Sequence, residues 1–210
     1  DQLEFEAFDE YYLGAPSIKH VIWKIIPEGS SRTIALEAGE VDFVVEVEAM
    51  DAERIQENPD LTLLEHEATN VTWLMLNNEK PGLDNVNVRH AINCAIDKES
   101  VITVALNNVG QSLISQCPNG MMGSTDENAD VYDVEKAKQL LADAGYADGF
   151  TMDITVPSNY TQHVQTADVI AEQHKAVGIT VNIVPVEWAT WVSQVYQGRD
   201  YQATVCGIAA

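Results

Sequence analysis

The residues best suited to chemistry are five histidines and three cysteines, and they lie far apart along the chain. The histidines fall on separate predicted elements: His20, His66, His90, His163 and His174. Metal sites place their ligands at short, recurring spacings, and no such cluster or CxxC pair occurs. The motifs GxGxxG, GxxxxGK[ST], HExxH and GxSxG are absent as well. The sequence therefore predicts no metal, no cofactor and no catalytic residue.

For both histidine and cysteine, a structural role is the alternative to a role in binding or reactivity. His163 stands in SNYTQH, ahead of a predicted helix, where it is either a ligand contact or a surface histidine at a helix end. Cys94 and Cys206 lie in apolar runs, which predicts burial rather than reactivity, and the odd cysteine count leaves at least one thiol free. A hydrolase is the alternative from another class, but no nucleophile is paired with a base in the sequence.

The tryptophans are more informative than the titratable residues. Trp188 and Trp191 are three residues apart and share one face of a predicted helix, and Trp73 lies in the strand that leads into the KPGLDN turn. Aromatic side chains at such positions either pack in the core or line a peptide or sugar pocket. The sequence leaves both alternatives open.

The charge excludes several classes of partner. The chain has 11 Lys and Arg against 33 Asp and Glu, a formal charge of −22. Nucleic acids and anionic lipid surfaces would be repelled, whereas the acidity either favours cationic ligands or serves solubility alone. No apolar run is long enough to cross a membrane, and DQLEFEAFDE lacks the basic and apolar regions of a signal peptide.

Strands and helices are predicted to alternate along the first 78 residues. Residues 20–26, 41–47, 61–67 and 70–78 are predicted strands, the last apolar on both faces as in a central strand. A helix follows Ser30 or Ser31 as its N-cap and ends at Gly39, and another ends before Pro59.

After residue 78, helices come first, and helices and strands then alternate again. Helices are predicted over 88–97, where Asn85 or Asn87 is the cap and Arg89 and His90 lie off the apolar face, and over 98–106. A long loop covers 107–132, and a helix runs from its cap Asp133 to Gly145. Then strands (151–157, 179–186, 200–208) alternate with helices that end at Gly178 and Gly198. This order predicts an α/β lobe.

Four stretches of this sequence, taken together, resemble one protein family. They are YYLGAPSIKHVIWKIIPEGSSRTIALEAGEVD, TWLMLNNEKPGLDNVNVRHAINCAID, YDVEKAKQLLADAGYADGF and VGITVNIVPVEWATWVSQVYQGRDYQA. In colinear order they are similar to the family 5 solute-binding proteins of bacterial ABC importers, which bind oligopeptides, dipeptides or nickel.

The resemblance implies a fold and an organisation. It implies the type II periplasmic-binding-protein architecture, in which two α/β lobes close on a ligand by a hinge. Residues 1–78 would be part of the first lobe and residues 79–210 most of the second, with hinge strands near 71–78 and 203–210. Family members are considerably longer, so the resemblance implies that this chain is a middle fragment that binds ligand weakly or not at all by itself.

The resemblance also implies a function. The protein would capture peptides outside the cytoplasmic membrane, as a periplasmic protein or a lipoprotein at the cell surface, and deliver them as a monomer to an ABC permease. It would not be an enzyme. Receptors for nickel chelates, haem or oligosaccharides, and a sensor on the same fold, are the alternatives.

Carried over by position, the ligand-binding residues would be Trp73, Gln162, His163, Trp188, Cys206 and Gly207. One departure concerns the arginine that some peptide binders place near the end of the last strand for the ligand carboxylate, where this sequence has Thr204 and Val205. Another is that the sequence ends before the acidic residue that holds the ligand's amino group in the family.

Overall fold

The computed structural model describes residues 2–66, 70–115, 117–118, 121–127 and 129–209, with the side chains of 208 and 209 left out. Two compact units divide the chain at Leu63 and Leu64. The strands are β1 (Gln2–Glu6), β2 (His20–Lys24), β3 (Asn70–Leu76), β4 (Phe150–Pro157), β5 (Ile179–Val186) and β6 (Ala203–Ala209). The helices are α1 (Gly29–Glu37), α2 (Ala49–Glu57), α3 (Val86–Cys94), α4 (Lys98–Ala105), α5 (Val134–Asp143), α6 (Thr161–His174) and α7 (Trp188–Thr190).

The first unit combines an antiparallel hairpin with two helices. Strands β1 and β2 pair in register, with Leu3 opposite Trp23. Helices α1 and α2 are tied by Thr33, whose hydroxyl donates to Asp51 Oδ2 at 3.0 Å. The predicted Ser30 or Ser31 cap of α1 is wrong, because the helix already begins at Gly29, after Glu28.

Two strands predicted between α1 and β3 are also wrong. Residues 41–47 form no strand; Glu46 takes a left-handed φ of +59°, which interrupts an extended segment. Residues 61–66 form no strand either, and Glu67 lies outside the described residues. Both stretches are apolar enough for strands, but neither pairs with a neighbouring strand in the described part of the chain, and a strand needs a hydrogen-bonded partner.

The second unit is built on a mixed four-stranded sheet in the order β3-β6-β4-β5. Strand β4 is parallel to β5 and to β6, and β3 is antiparallel to β6. Strand β3 therefore lies at an edge of the described sheet, and the prediction of a central strand is wrong. Its apolar residues on both faces are accounted for by packing: Leu74 and Leu76 contact the main core, and Met75 packs with Trp191 on the other face.

Side-chain caps define where three of the helices begin. The Asn85 side chain accepts from Asn87 N at 2.9 Å, which decides between the two predicted caps of α3. Asp97 accepts from Ser100 N at 3.3 Å and starts α4. Asp133 accepts from Lys136 N at 2.9 Å and starts α5, as predicted.

Glycines end two helices, as the sequence predicts. Gly145 follows α5 with φ +86°, and Gly178 follows a 3₁₀ turn (Lys175–Val177) after α6 with φ +82°. Gly149 packs directly against Gly178: a Cβ on Gly149 would lie 1.9 Å from Gly178 O. The chain therefore passes from α5 into β4 through a contact that only glycine fits.

The main core lies between the sheet and the helices α3 to α6. Val88, Ala91 and Ile92 of α3 are buried, as their spacing predicts, and so are Cys94 and Cys206. The 107–132 segment contains no helix or strand where it is described, which agrees with the predicted loop.

Two further observations concern the limits of this unit. A lobe boundary at 78/79 stays a prediction; β3 pairs with β6 inside the unit that begins at Leu64. Among the described residues, no helix has the length and apolar character that crossing a bilayer requires.

Candidate functional site

The candidate site lies at one edge of the second unit's sheet. Because β4, β5 and β6 are parallel, their carboxyl ends meet at this edge, and the antiparallel β3 begins there. Helix α6 starts four residues after β4 ends, and α7 starts two residues after β5 ends. Open α/β sheets bind ligands outside the carboxyl ends of their strands, so a ligand site is expected at the first turns of α6 and α7.

Four aromatic side chains form a continuous row along this edge, which we call the aromatic row: Tyr160, Trp188, Trp191 and Tyr196. The Tyr160 and Trp188 rings meet edge to face at 5.3 Å, and the Trp188 and Trp191 rings are stacked at 5.3 Å with only 6° between their planes. Trp191 and Tyr196 stack at 6.3 Å. The shared helix face predicted for the two tryptophans is confirmed.

The middle of the row is fixed by hydrogen bonds and its ends reach solvent. Trp191 is buried, and its Nε1 donates to Thr204 Oγ1 at 3.0 Å; that hydroxyl in turn donates to Thr155 O at 2.6 Å. Trp188 keeps 42% of its surface exposed. The row therefore presents a rigid aromatic surface at the sheet edge, since its central ring cannot rotate without breaking a buried hydrogen bond.

The helix that carries Trp191 is irregular. After one turn of α7 the chain continues as a π-helical segment (Trp191–Gln197). Such segments are rare and occur often at functional sites. The predicted end of this helix at Gly198 is confirmed, whereas the sequence gives no signal for the π-helical turns.

His163 is buried in the first turn of α6, so the surface alternative is wrong. Its ring stacks on Tyr160 at 5.3 Å, and its Nε2 accepts a hydrogen bond from Gly207 N at 3.1 Å. Because Nε2 is the acceptor, the neutral ring carries its hydrogen on Nδ1, and this buried atom has no partner among the described residues. Burial lowers the pKa of His163 from 6.5 to about 4.

Gly207 lies where His163 of α6 contacts β6. A Cβ at this position would lie 3.3 Å from His163 Cε1, 3.4 Å from Asn70 Oδ1 and 3.5 Å from Thr72 Oγ1. Polar side chains from β3 and α6 thus surround Gly207 near the end of β6.

Trp73 and Cys206 are directly opposite each other in the β3-β6 register. Cys206 belongs to the small core cluster of Trp191 and Val195, on the opposite face of the sheet from Gly207. Burial raises the pKa of the Cys206 thiol, which makes the thiolate, and therefore nucleophilic chemistry, less accessible. The Trp73 Nε1 is buried without a hydrogen-bond partner among the described residues.

The six predicted residues are therefore brought together only in part. His163 and Gly207 share a hydrogen bond, Trp73 and Cys206 share a register position, and Trp188 belongs to the aromatic row. Gln162 is exposed at the start of α6, and its side chain forms no hydrogen bond to the other five, all of which lie in the described part of the chain.

The sequence analysis did not identify Tyr160, which links His163 to Trp188. It left Trp191 open between a core and a pocket-lining position, and Trp191 is the buried centre of the row. Tyr160 occupies the short connection between a strand and a helix, where the carboxyl-edge rule alone would have made it a candidate.

A second cluster surrounds Asp130 and the start of α5. His90 Nδ1 lies 2.7 Å from Asp130 Oδ2, and Lys136 Nζ lies 3.7 Å from Oδ1 of the same carboxylate. Burial raises the pKa of Cys94, and the neighbouring Asp130 raises it further. Arg89 instead donates to Leu83 O. No three His, Cys, Asp or Glu side chains within the described ranges are placed to hold a metal ion.

Comparison with known proteins identifies the family to which this architecture belongs. The model of the bacterial extracellular solute-binding proteins, family 5 middle region, matches residues 1–210. The chain belongs to this family. Its members are substrate-binding proteins and not enzymes, and the type II periplasmic-binding-protein fold expected from the sequence is confirmed by the structural matches.

Individual family 5 proteins resemble the chain over nearly its whole length. Haem-binding protein A of Haemophilus influenzae is 31% identical over 94% of the chain, and the dipeptide-binding protein of Escherichia coli is 30% identical over 98%. The periplasmic binding protein DppA of Helicobacter pylori, solved in complex with the peptide STSA, superimposes with a TM-score of 0.89 at 27% identity over 100% of the chain. That match covers 41% of the DppA chain.

The chain spans 37% and 39% of the length of the first two relatives. The chain also matches only part of the solved structures. The binding protein AgaA from A. tumefaciens R10, in complex with agropinic acid, matches with a TM-score of 0.85 and 31% identity over 99% of this chain and 43% of its own.

Proposed function

We propose that the protein is the solute-binding component of an ABC importer that captures short peptides at the aromatic row and delivers them to a membrane permease. The observation that carries the proposal is the position of the row: exposed aromatic surface lies at the carboxyl ends of parallel strands, where α/β folds bind ligands. The dipeptide-binding relative and the peptide complex of the H. pylori protein support the choice of peptide.

The chemistry of this edge suits a peptide. Trp188 offers apolar surface to ligand side chains. Ser158, Asn159 and Gln162, between the end of β4 and the first turn of α6, are exposed polar residues that can pair with peptide main chain, directly or through water. The formal charge of −22 attracts the ligand's ammonium group. Such a site reads the peptide backbone and tolerates varied side chains.

Capture would depend on lobe closure. Residues 71–78 and 203–210 are the proposed hinge strands between a first lobe containing 1–78 and a second lobe containing 79–210. The hydrogen bond from Gly207 N to His163 and the pairing of Trp73 with Cys206 would hold the base of the hinge while ligand shifts the protein from an open to a closed state. The proposed location is outside the cytoplasmic membrane, periplasmic or lipid-anchored, as a monomer.

Haem is the second candidate ligand. The Haemophilus relative is named for haem, and a row of aromatic rings can stack on a planar macrocycle. His163 would not ligate its iron, because Nε2 accepts from Gly207 N and Nδ1 carries the hydrogen.

A thermal-shift screen of the protein at its natural length tests the proposal. The compounds screened are di- to pentapeptides, haem, nickel-histidine and oligosaccharides. A ligand at a hundred times its dissociation constant adds about 2.7 kcal/mol to the free energy of unfolding. Stabilisation by peptides alone is the expected result, and stabilisation by haem alone would replace the peptide proposal with the second candidate. No stabilisation by any of these ligands would contradict both and direct attention to a sensor.

A further inference from the structure

Arg199 differs from every other basic side chain of this acidic protein. The sequence has 11 lysines and arginines, and ten of them contact a carboxylate or a backbone carbonyl. These ten are Lys19, Lys24, Arg32, Arg54, Lys80, Arg89, Lys98, Lys136, Lys138 and Lys175. The Arg199 guanidinium contacts no acceptor in the described ranges, although the protein carries 33 acidic residues. Its five donors are available to a ligand.

The backbone around Arg199 is held in place. Arg199 takes a left-handed φ of +54°, which is uncommon for a residue with a side chain. Asn77 Nδ2 donates to Arg199 O and to Tyr201 O, both at 3.0 Å, and Lys80 pairs with Asp200 at 3.0 Å. The loop that connects the π-helical segment to β6 is thus anchored at Arg199 and at the two residues that follow it.

Arg199 lines an open cleft of about 450 Å³, which we call the Arg199 cleft. Met75, Trp191, Tyr196 and Tyr201 supply its apolar walls, and the stacked rings of Trp191 and Tyr196 make one wall flat. Thr204 also lines the cleft, but its hydroxyl already accepts from Trp191 and donates to Thr155 O. A volume of this size fits a small molecule, and Arg199 is its charged group.

The cleft overlaps the proposed peptide site at one end of the aromatic row only. It shares Trp191 and Tyr196 with the row, but Tyr160, His163 and Trp188 are not among its lining residues. It lies on the face of β3 and β6 that carries Met75 and Thr204, opposite the face on which His163 meets Gly207.

We propose that the Arg199 cleft is a second binding site, for a small monocarboxylate carried on an aromatic group. A guanidinium pairs with a carboxylate through two parallel hydrogen bonds, and the flat aromatic wall suits a ring. A single carboxylate also suffers less repulsion from a protein of charge −22 than a phosphate or a dicarboxylate does.

Calorimetric titration of the natural-length protein with indole-3-acetate tests this site. Indole-3-acetamide is the matched neutral probe, Arg199→Gln removes the guanidinium, and Lys19→Gln is the matched control, because it removes one positive charge from an exposed pair with Asp9. The acetamide and Arg199→Gln are each expected to lower the affinity about tenfold or more, since a hydrogen bond to a charged group is lost. Lys19→Gln should leave the affinity unchanged.

A second variant guards against misfolding. Arg199→Gly also removes the guanidinium, and glycine suits the left-handed backbone, so this variant should fold at least as well as the parent while losing the same affinity. Equal binding of acid and amide, unchanged affinity in both variants, or no binding at millimolar indole-3-acetate would overturn the proposal. Competitive displacement by a bound peptide would show a single shared site and would also overturn it.

Discussion

Acidification is expected to destabilise the protein through His163, whose ring is buried and neutral. Burial lowers its native pKa to about 4, whereas an unfolded histidine titrates near 6.5. As the pH falls through 6.5, the unfolded chain therefore binds a proton that the native ring does not accept until about pH 4. The free energy of unfolding is full above pH 6.5 and decreases throughout the window from 6.5 to 4.

The size of the effect follows from the two pKa values. Each pH unit within the window removes about 1.36 kcal/mol, so the loss is roughly 2 kcal/mol at pH 5 and roughly 3 kcal/mol at pH 4. Protonation would also turn Nε2 from an acceptor into a donor that faces the Gly207 N–H, 3.1 Å away. The contact that joins α6 to β6 would then be lost.

Urea denaturation of wild type and His163→Gln at pH 7.5 and pH 5 measures how much His163 contributes to the loss of unfolding free energy. Carboxylates titrate in both proteins, and so does His174, whose pKa burial also lowers. The difference between the two pH profiles therefore isolates His163, and wild type should lose roughly 2 kcal/mol more than the variant. Parallel profiles, or an NMR titration of His163 with a midpoint near 6.5, would refute the reasoning.

Three further perturbations test other parts of the fold. Gly149→Ala should lower the free energy of unfolding by roughly 3 kcal/mol or more, because its Cβ would lie 1.9 Å from Gly178 O. Gly145→Ala is the control: its φ is similar but its Cβ would meet open space, so the free energy of unfolding should fall by only about 1 kcal/mol. Equal decreases for both variants in urea denaturation would contradict the contact between Gly149 and Gly178. Trp191→Phe should lose about 1 kcal/mol with the hydrogen bond to Thr204, and an unchanged urea midpoint would exclude that role. Raising NaCl from 20 to 500 mM should raise the melting temperature, because salt screens the repulsion within a chain of charge −22; a salt-independent melting temperature would show that this repulsion is negligible.

Features set by short-range interactions were predictable from the sequence. The cap Asp133, the left-handed Gly145 and the buried face of α3 depend on neighbours within about one helical turn, and each was found where its residue type predicts it. The family resemblance was confirmed because it used several blocks in order, where one alone would have been ambiguous.

Features set by distant partners were not predictable. Residues 41–47 have a strand-like composition, but a strand also needs a neighbour, and the described chain supplies none there. His163 was recognised as a candidate, yet its bond to Gly207 joins residues 44 positions apart. The isolation of Arg199 emerges only when the partners of all other basic groups are known.

Peptide capture at the aromatic row is tested by a calorimetric titration of the natural-length protein with short peptides, comparing wild type with Trp188→Ala. Tyr132→Ala is the matched control, because it removes a similarly exposed aromatic ring outside the aromatic row. Wild type and the control are expected to bind peptide saturably, and Trp188→Ala to bind it about tenfold or more weakly. Peptide binding that is equally tight in all three proteins, or absent from wild type, would contradict it.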